Sequence, residues 1–198
     1  MPLNLPRPII YPITSGNREI LNILQLVRAA VEAEVPLFQI REKSLPAREL
    51  YELTTRAVEI TRGSKTRLLV NDRADIARAA GADGVHLTAN SLPADVVRSL
   101  CGPEFLIGVS THSLAEARAA RDKGADFVVF GPVFEKLGFG TAQGLDKLRQ
   151  VTDDLGDFPV LAIGGITLEN FAACLDAGAS GVAAIRLLNN PESFKQLR

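Results

Sequence analysis

The sequence contains no tryptophan, one methionine, two cysteines and two histidines in 198 residues. Cys101 and Cys174 lie far apart, in different apolar segments, without the close cysteine and histidine spacings of a zinc site. This scarcity argues against a disulfide framework or a structural metal as the source of stability. We interpret both cysteines as reduced core thiols of a cytoplasmic protein.

The sequence also lacks an excess of charge of either sign. It has 22 basic and 23 acidic residues and a net charge of −1. Nucleic acid and anionic membranes attract clustered positive charge, so neither partner is expected. The first residues, MPLNLPRPIIYPIT, are too short and too rich in proline for a signal peptide or a membrane span. Because no low-complexity tract suggests a linker, we expect residues 1–198 to form one domain.

What the sequence does contain is an alternation of short apolar runs with longer amphipathic segments. The apolar runs predict buried strands at 8–14, 36–40, 67–71, 84–87, 105–110, 127–132, 159–165 and 181–186. The amphipathic segments predict helices at 19–34, 46–61, 73–80, 93–101, 113–123, 144–155, 167–177 and 191–197. Helices that return between buried strands are typical of right-handed parallel crossovers.

Three segments repeat one connection: GADGVHL (81–87), GADFVVF (124–130) and GASGVAA (178–184). In each, a helix ends at a glycine suited to the left-handed conformation, and a strand follows after a short turn. Eight such units predict an α/β fold, a single-domain (β/α)8 TIM barrel. A doubly wound open sheet is the alternative, but no Gly-x-Gly-x-x-Gly follows the first strand.

Polar residues gather after the predicted strands, where such barrels carry their active sites. In chain order these candidates are Gln39, Arg41, Lys43, Asn71, Asp72, Ser110, His112, Gly164, Gly165 and Arg186.

The best-supported ligand is a phosphate after strands seven and eight. In AIGGIT, the backbone N–H groups of Gly164 and Gly165 can approach an anion, and Thr167 is predicted to cap a helix whose N-terminus attracts it. Arg186 adds a possible cation. The alternatives are a tight turn without a ligand and an arginine that points outward.

A second anion, a carboxylate or a pyrophosphate, is expected near strand two. Gln39 and Arg41 have the same parity, so both are predicted to face the mouth, with Lys43 on the loop. The alternative is a solvated loop with balanced local charges. Asn71 and Asp72 either orient the substrate and supply a metal ligand or cap the next helix.

His112 is the candidate catalytic residue. Ser113 and Glu116 form a capping box that places His112 just outside a helix, at the mouth. A neutral imidazole there is suited to act as a general base and then as an acid. The alternative is a loop histidine bonded to the backbone. His86 lies within a strand and is predicted to be a hydrogen-bonded interior group.

The motifs QIREK, VNDRADIARAAGADGVHL, IGVSTHSLAEA, GADFVVFGPVF and PVLAIGGITLEN, followed by GASGVAAI, together resemble the thiamine phosphate synthase/TenI superfamily. The resemblance covers nearly the whole chain. Synthases of this superfamily join a pyrimidine pyrophosphate to a thiazole phosphate with Mg²⁺. The resemblance implies contacts with the pyrophosphate and pyrimidine from Gln39, Arg41, Lys43 and Asn71, and a metal-binding role for Asp72.

The chain departs from the synthase pattern at three places. Ser91 replaces a second metal-binding aspartate, and Arg186 replaces a serine after strand eight. The pyrophosphate loop Pro-Thr-x-Thr-Lys is replaced by a shorter loop that begins Glu135-Lys136-Leu137-Gly138-Phe139, in which Lys136 is a possible substitute for the lost lysine. Each lost charge contact costs about 2–4 kcal/mol in a transition state.

We therefore expect the TenI-like branch: a thiazole tautomerase, an isomerase without a cofactor, in which His112 moves one proton of a phosphorylated thiazole. In this hypothesis Arg41 and Lys43 hold the substrate carboxylate, and AIGGIT with Arg186 holds its phosphate. The alternatives are a Mg²⁺-dependent synthase and a non-catalytic protein that binds thiamine phosphate or thiazole phosphate. Assembly into a homo-oligomer is left open.

Overall fold

A computed structural model describes residues 5–16, 19–135, 141–187, 190 and 192–196. The strands are β1 (Ile9–Pro12), β2 (Leu37–Ile40), β3 (Arg67–Asn71), β4 (Gly84–Leu87), β5 (Leu106–Thr111), β6 (Phe127–Phe130), β7 (Val160–Ile163) and β8 (Gly181–Ala184). The helices are α1 (Ile20–Glu32), α2 (Ala47–Thr61), α3 (Ala74–Ala80), α4 (Ala94–Cys101), α5 (Leu114–Asp122), α6 (Gly144–Leu155), α7 (Phe171–Asp176) and α8 (Glu192–Gln196).

The strands form one parallel sheet in the order β1-β8-β7-β6-β5-β4-β3-β2. A single parallel bridge between Ile13 and Gln39 joins β1 to β2 and brings the sheet round on itself. Thr14 strengthens this seam, because its backbone N–H donates to Gln39 O at 3.0 Å and its hydroxyl accepts from Arg41 N at 2.8 Å. The predicted (β/α)8 barrel is confirmed. Its closure between β1 and β2 has fewer paired residues than the other strand pairs.

Strand alternation divides the apolar side chains between two cores. Since successive side chains point to opposite faces of a strand, alternate residues face the barrel interior. The interior core contains Ile9, Tyr11, Ile13, Leu37, Leu69, Phe127, Val129, Leu161 and Ala183. The larger core lies between strands and helices, where α1 buries Ile23, Leu24, Val27 and Ala30 at helical spacing. Gln39, Asn71 and His86 share the interior parity and reach the mouth.

The seventh helix differs from its prediction. It was expected from Thr167, but α7 begins at Phe171 and has 6 residues. Asn170 Oδ1 accepts from Thr167 N at 2.8 Å, and Asn170 Nδ2 donates to Gly165 O at 2.9 Å. These bonds close a turn over 167–170 that leads into α7, and Phe171 N donates to Thr167 O at 3.1 Å. The predicted helix cap at Thr167 is therefore wrong, whereas its contribution to phosphate binding stays a prediction.

Cys101 and Cys174 are free thiols, and burial raises the pKa of Cys174 to about 11. Within the described ranges, no helix has the length and apolar character needed to cross a bilayer.

Candidate active site

The carboxyl ends of the strands surround a cavity of about 790 Å³, a size typical of small-molecule sites. Predicted site residues from strands and loops around the ring line this one cavity: Gln39, Arg41, Lys43, Asn71, Ser110, His112 and Gly164. The expectation that His112 and the glycine turn share one opening is therefore met.

A second cavity of about 530 Å³ adjoins the first. The two cavities share Ile163, Gly164 and Ile185, while Gly165 and Arg186 line only the second. The side chain of Arg186 is exposed. Arg186 is thus a surface arginine, as the structural alternative predicted. It also borders the predicted phosphate site, so its side chain remains a candidate cation for the phosphate.

The glycine turn is required by packing. Gly164 and Gly165 have φ values of 97° and 65°. A Cβ on Gly164 would lie 2.5 Å from Pro132 Cβ, and one on Gly165 would lie 2.7 Å from Phe134 Cβ. Only glycine satisfies both constraints. The turn therefore brings backbone to the border of both cavities, against the loop that follows β6.

The β2 side of the mouth carries unneutralised positive charge. Arg41 is half-buried and Lys43 is exposed. Neither cation is within salt-bridge distance of a carboxylate in the described residues. Glu42, which lies between them in sequence, is buried, and its Oε1 accepts instead from Gly16 N at 3.3 Å. The alternative of a locally balanced loop is therefore not observed, and this wall is suited to an anion.

Asp72 is held in an unusual conformation directly after the cavity-lining Asn71, and it lines a separate cavity of about 400 Å³. Its φ is 63°, a left-handed value that aspartate tolerates better than most residues, and its N–H donates to His86 O at 2.8 Å. The Asp72 carboxylate accepts a short hydrogen bond from the Ser91 hydroxyl. Ser91 Oγ in turn accepts from Thr88 N at 2.8 Å. Because α3 has no side-chain cap, the helix-cap alternative for Asp72 is wrong.

The donor set at this edge fits magnesium only in part. It offers one carboxylate, Asp72, and one hydroxyl, Ser91. The described portions of the chain contain no group of three histidine, cysteine, aspartate or glutamate side chains that could hold a metal. Mg²⁺ is commonly bound by one or two carboxylates together with water and substrate phosphates. The residues therefore fit an ion that binds together with a diphosphate.

His112 lies at the mouth as predicted. Ser113 Oγ accepts from Glu116 N at 3.2 Å, and Glu116 Oε2 accepts from His112 N at 2.7 Å. The imidazole Nδ1 is 2.6 Å from Gly131 O. A carbonyl can only accept, so Nδ1 carries a proton. Nε2 is then the ring nitrogen left to contact a ligand.

His86 is a satisfied interior group, as predicted. It is 3% exposed, with Nε2 2.9 Å from Ser110 Oγ and Nδ1 3.4 Å from the Tyr11 hydroxyl. Burial, reinforced by the charge of Arg41, lowers the pKa of His86 to about 3, so the ring is neutral at physiological pH.

Sequence reasoning missed Tyr11. Its hydroxyl accepts from Gln39 Nε2 at 2.8 Å, and burial raises the tyrosine pKa. The sequence did contain a signal: Tyr11 is two residues from Ile9, so both side chains face the barrel interior, where a hydroxyl group needs a hydrogen-bond partner.

Part of the predicted site cannot be placed. Lys136 and Phe139, with the rest of 136–140, lie outside the described residues. The lysine substitution and the closure of loop 135–143 stay predictions.

Residues 10–188 match a family model described as thiamine monophosphate synthase. The chain belongs to this family. A Geobacter sulfurreducens protein named "Putative thiamine-phosphate synthase" is 44% identical over 197 residues, which cover 96% of this chain and 91% of that protein. The thiamine-phosphate synthase of Moorella thermoacetica is 44% identical over 165 residues, 82% of this chain and 78% of its own.

The same family appears among solved structures. The thiamine phosphate pyrophosphorylase of Pyrococcus furiosus has a TM-score of 0.84 and 34% identity, covering 96% of this chain and 93% of its own. Family membership confirms the superfamily resemblance and places the chain in thiamine biosynthesis.

The expectation of an isomerase is wrong. The relatives and the solved structure above are named as synthases or pyrophosphorylases, whose activity is that of a transferase. The expectation gave too much weight to the departures at Ser91 and in the loop after β6. Arg41 and Lys43 are retained at the mouth, Asp72 follows the cavity-lining Asn71 in sequence, and a diphosphate itself supplies further oxygen ligands to Mg²⁺.

Proposed function

We propose that this protein is a thiamine phosphate synthase, a transferase that joins a pyrimidine pyrophosphate to a thiazole phosphate. The observation that carries the proposal is the position of Arg41 and Lys43. Both cations line the 790 Å³ cavity, and neither has a carboxylate partner in the described residues. Uncompensated charge on a cavity wall favours a strongly anionic ligand, and a pyrophosphate group meets that requirement.

The reaction balances without any transfer of a carbon-bound proton. The C–O bond between the pyrimidine methylene and the pyrophosphate breaks, and its electron pair leaves with oxygen. The thiazole ring nitrogen supplies the pair for the new C–N bond. The role proposed for His112 is accordingly contact with a substrate through Nε2 at the mouth, because this chemistry has no use for a base at carbon.

Arg41 and Lys43 bind the pyrophosphate in this proposal. The planar guanidinium of Arg41 matches two phosphate oxygens at once, and Lys43 adds a mobile positive charge. Gln39 and Asn71, on the neighbouring strands β2 and β3, orient the pyrimidine. When bound at Asp72, Mg²⁺ supplies positive charge that stabilises the departing group.

The adjoining cavity receives the thiazole phosphate. Backbone amides of Gly164 and Gly165 approach the phosphate, and Arg186 adds charge at the outer edge. Ile163 and Ile185 form the wall common to both cavities, so an apolar junction separates the two phosphate-binding regions. An apolar junction limits water at the point where the two rings meet, which favours attack by the thiazole over hydrolysis.

The test is formation of thiamine phosphate and pyrophosphate from the two substrates, with and without Mg²⁺. Product is expected only when both substrates and Mg²⁺ are present. Saturable binding of thiamine phosphate with no product at high enzyme concentration would reject the synthase and favour the non-catalytic alternative.

Three sequence expectations stay proposals beside this function. They are a cytoplasmic location, a single domain over residues 1–198, and assembly into a homo-oligomer, which light scattering on the purified protein measures directly.

A further inference from the structure

Four side chains form a line of hydrogen bonds from the barrel interior to the cavity. Gln39 Nε2 lies 2.8 Å from the Tyr11 hydroxyl, which lies 3.4 Å from His86 Nδ1. His86 Nε2 lies 2.9 Å from Ser110 Oγ. Tyr11, Gln39 and His86 are at most 3% exposed, whereas Ser110 is half-buried and lines the cavity. Gln39 and His86 also line the cavity, but Ser110 is the most exposed member of the line and therefore the most accessible to a ligand.

The proton positions follow from what each group can donate and accept. The Gln39 amide donates to the tyrosine oxygen, so the Tyr11 hydrogen needs an acceptor of its own. His86 Nδ1 is the acceptor within reach among the described side chains, although the bond is long. A buried hydroxyl without an acceptor is unfavourable, which favours a Nδ1 that carries no proton. A neutral imidazole then carries its proton on Nε2.

Gly108 makes this arrangement sterically possible. A Cβ at this position would lie 2.8 Å from His86 Nδ1 and 2.4 Å from the Phe127 ring. Phe127 in turn packs edge-on against Tyr11, with ring centroids 5.5 Å apart. The absence of a side chain at Gly108 thus leaves space for the rings of Tyr11, His86 and Phe127. The imidazole can therefore lie between Tyr11 and Ser110.

We propose that Tyr11 and His86 are positioning residues that make Ser110 a fixed hydrogen-bond donor to an acceptor atom of the substrate. His86 Nε2–H donates to Ser110 Oγ, so the serine's own hydrogen is left for the cavity. No other side-chain bond involves Ser110 in the described residues. A serine whose proton direction is set in advance needs no reorientation when the substrate binds. The proposal depends on the proposed function only where turnover is measured.

The tautomer of His86 can be measured without turnover. Side-chain ¹⁵N NMR of the full chain, labelled at histidine, distinguishes protonated from unprotonated ring nitrogens. Because the chain has two histidines, a His112→Gln variant assigns both signals. At pH 7 we expect a protonated Nε2 and an unprotonated Nδ1 at His86. A protonated Nδ1 at His86 overturns the proposal, whatever the activity of the enzyme.

A kinetic cycle then tests the path to the substrate. Tyr11→Phe removes the hydroxyl and keeps the ring, and we expect kcat to fall about 3- to 10-fold with little change in KM, the size expected for one hydrogen bond. The same substitution should have no further effect in a Ser110→Ala background. Equal losses in both backgrounds would show that Tyr11 acts through the general structure, and would overturn the proposal.

The second tyrosine supplies the matched control. Tyr51 is 41% exposed on α2, so Tyr51→Phe should change neither the tautomer nor kcat. If the wild-type chain forms no thiamine phosphate, the proposed function fails, and the NMR measurement on the wild-type chain still decides the tautomer. That measurement also covers the case in which Tyr11→Phe does not fold.

Discussion

The floor and the rim of the cavity use similar polar residues in opposite ways. The floor consists of Tyr11, Gln39, His86 and Ser110. The rim consists of Arg41, Lys43 and His112, which line the cavity, together with the hydrogen-bonded pair Asp72 and Ser91 on the loops after β3 and β4. Three of the four floor residues are buried and hydrogen bonds join the four in a line, whereas the rim residues are exposed or half-buried. The floor residues therefore contribute mainly to the stability of the barrel, and the rim residues are accessible to a ligand.

The two histidines show the difference most clearly. The Gly131 carbonyl requires the proton of His112 on Nδ1, and the hydroxyl of Tyr11 favours the proton of His86 on Nε2. His112 therefore presents Nε2 at the mouth, whereas both ring nitrogens of His86 lie within reach of hydroxyls inside the protein. The surroundings decide whether a histidine contributes to stability or to contact with a ligand.

The largest expected effect is on stability, at the floor. His86→Ala should lower the free energy of unfolding by about 2–4 kcal/mol, because it leaves a cavity and removes the partners of two hydroxyls. The matched rim variant, His112→Ala, should cost about 0.5–1 kcal/mol, because its single side-chain bond is at the surface. Urea denaturation of both variants measures the difference. Equal losses would remove the distinction between floor and rim.

Most of the fold could be predicted from the sequence, because buried parallel strands and amphipathic helices leave different periodicities. The predicted strand over 84–87 agrees with β4, and the predicted helix over 144–155 agrees with α6. The helix predicted from Thr167 failed because Asn170 closes the turn with its side chain. A competition between a side chain and the backbone for the same N–H is not visible in hydrophobic periodicity.

The site was predictable where it depends on strand parity. Gln39, Asn71 and Ser110 were expected at the mouth and all line the cavity. Tyr11 was missed because a tyrosine on an apolar strand has the pattern of a core residue. The reaction class was mispredicted for another reason: replacement of a charged residue at Ser91 shows that a contact has changed, but not whether the remaining charges suffice.

The second prediction concerns activity at the rim. Arg41→Ala should lower kcat/KM for the pyrimidine pyrophosphate about 10²-fold, since a guanidinium contact to a transferred phosphate group is worth about 2–3 kcal/mol. Steady-state kinetics on the proposed reaction measures it. The matched control is Arg48→Ala, which removes an exposed arginine paired with Glu52 on α2 and should leave kcat/KM unchanged.

Stability should be nearly unaffected in both arginine variants, because neither residue belongs to the floor. A large loss of stability in Arg41→Ala with unchanged kinetics would place Arg41 among the structural residues and contradict the proposed pyrophosphate contact.

The third prediction concerns the pH dependence of the free energy of unfolding, to which His86 in the floor should contribute. The pKa of His86 is about 3 in the folded protein and about 6.5 in an unfolded chain. Below pH 6.5 the unfolded chain therefore binds a proton that the folded protein does not, and unfolding becomes more favourable as pH falls towards 3. Between pH 7 and pH 5 this site should cost about 2 kcal/mol of stability.

His86→Gln provides the comparison, because glutamine is polar and does not titrate. Its unfolding free energy at pH 7 will be lower, but its further loss between pH 7 and pH 5 should be smaller than that of the wild type by about 2 kcal/mol. Urea denaturation at the two pH values gives both numbers. Parallel losses in the two proteins would show that His86 does not stay neutral inside the barrel.

The smallest expected effect is at Ser91, a rim residue whose hydroxyl is hydrogen-bonded to both Asp72 and Thr88. Its hydroxyl donates to the Asp72 carboxylate and thereby satisfies one oxygen that a metal would otherwise use. Ser91→Asp replaces this donor with a second carboxylate, so the Mg²⁺ concentration for half-maximal rate should fall about 3- to 10-fold. Without Mg²⁺, repulsion between the two carboxylates should lower stability by about 0.5–1 kcal/mol. Ser91→Asn, of similar size and without charge, is the matched control, and an identical Mg²⁺ response in both variants would mean that the metal does not bind beside Asp72.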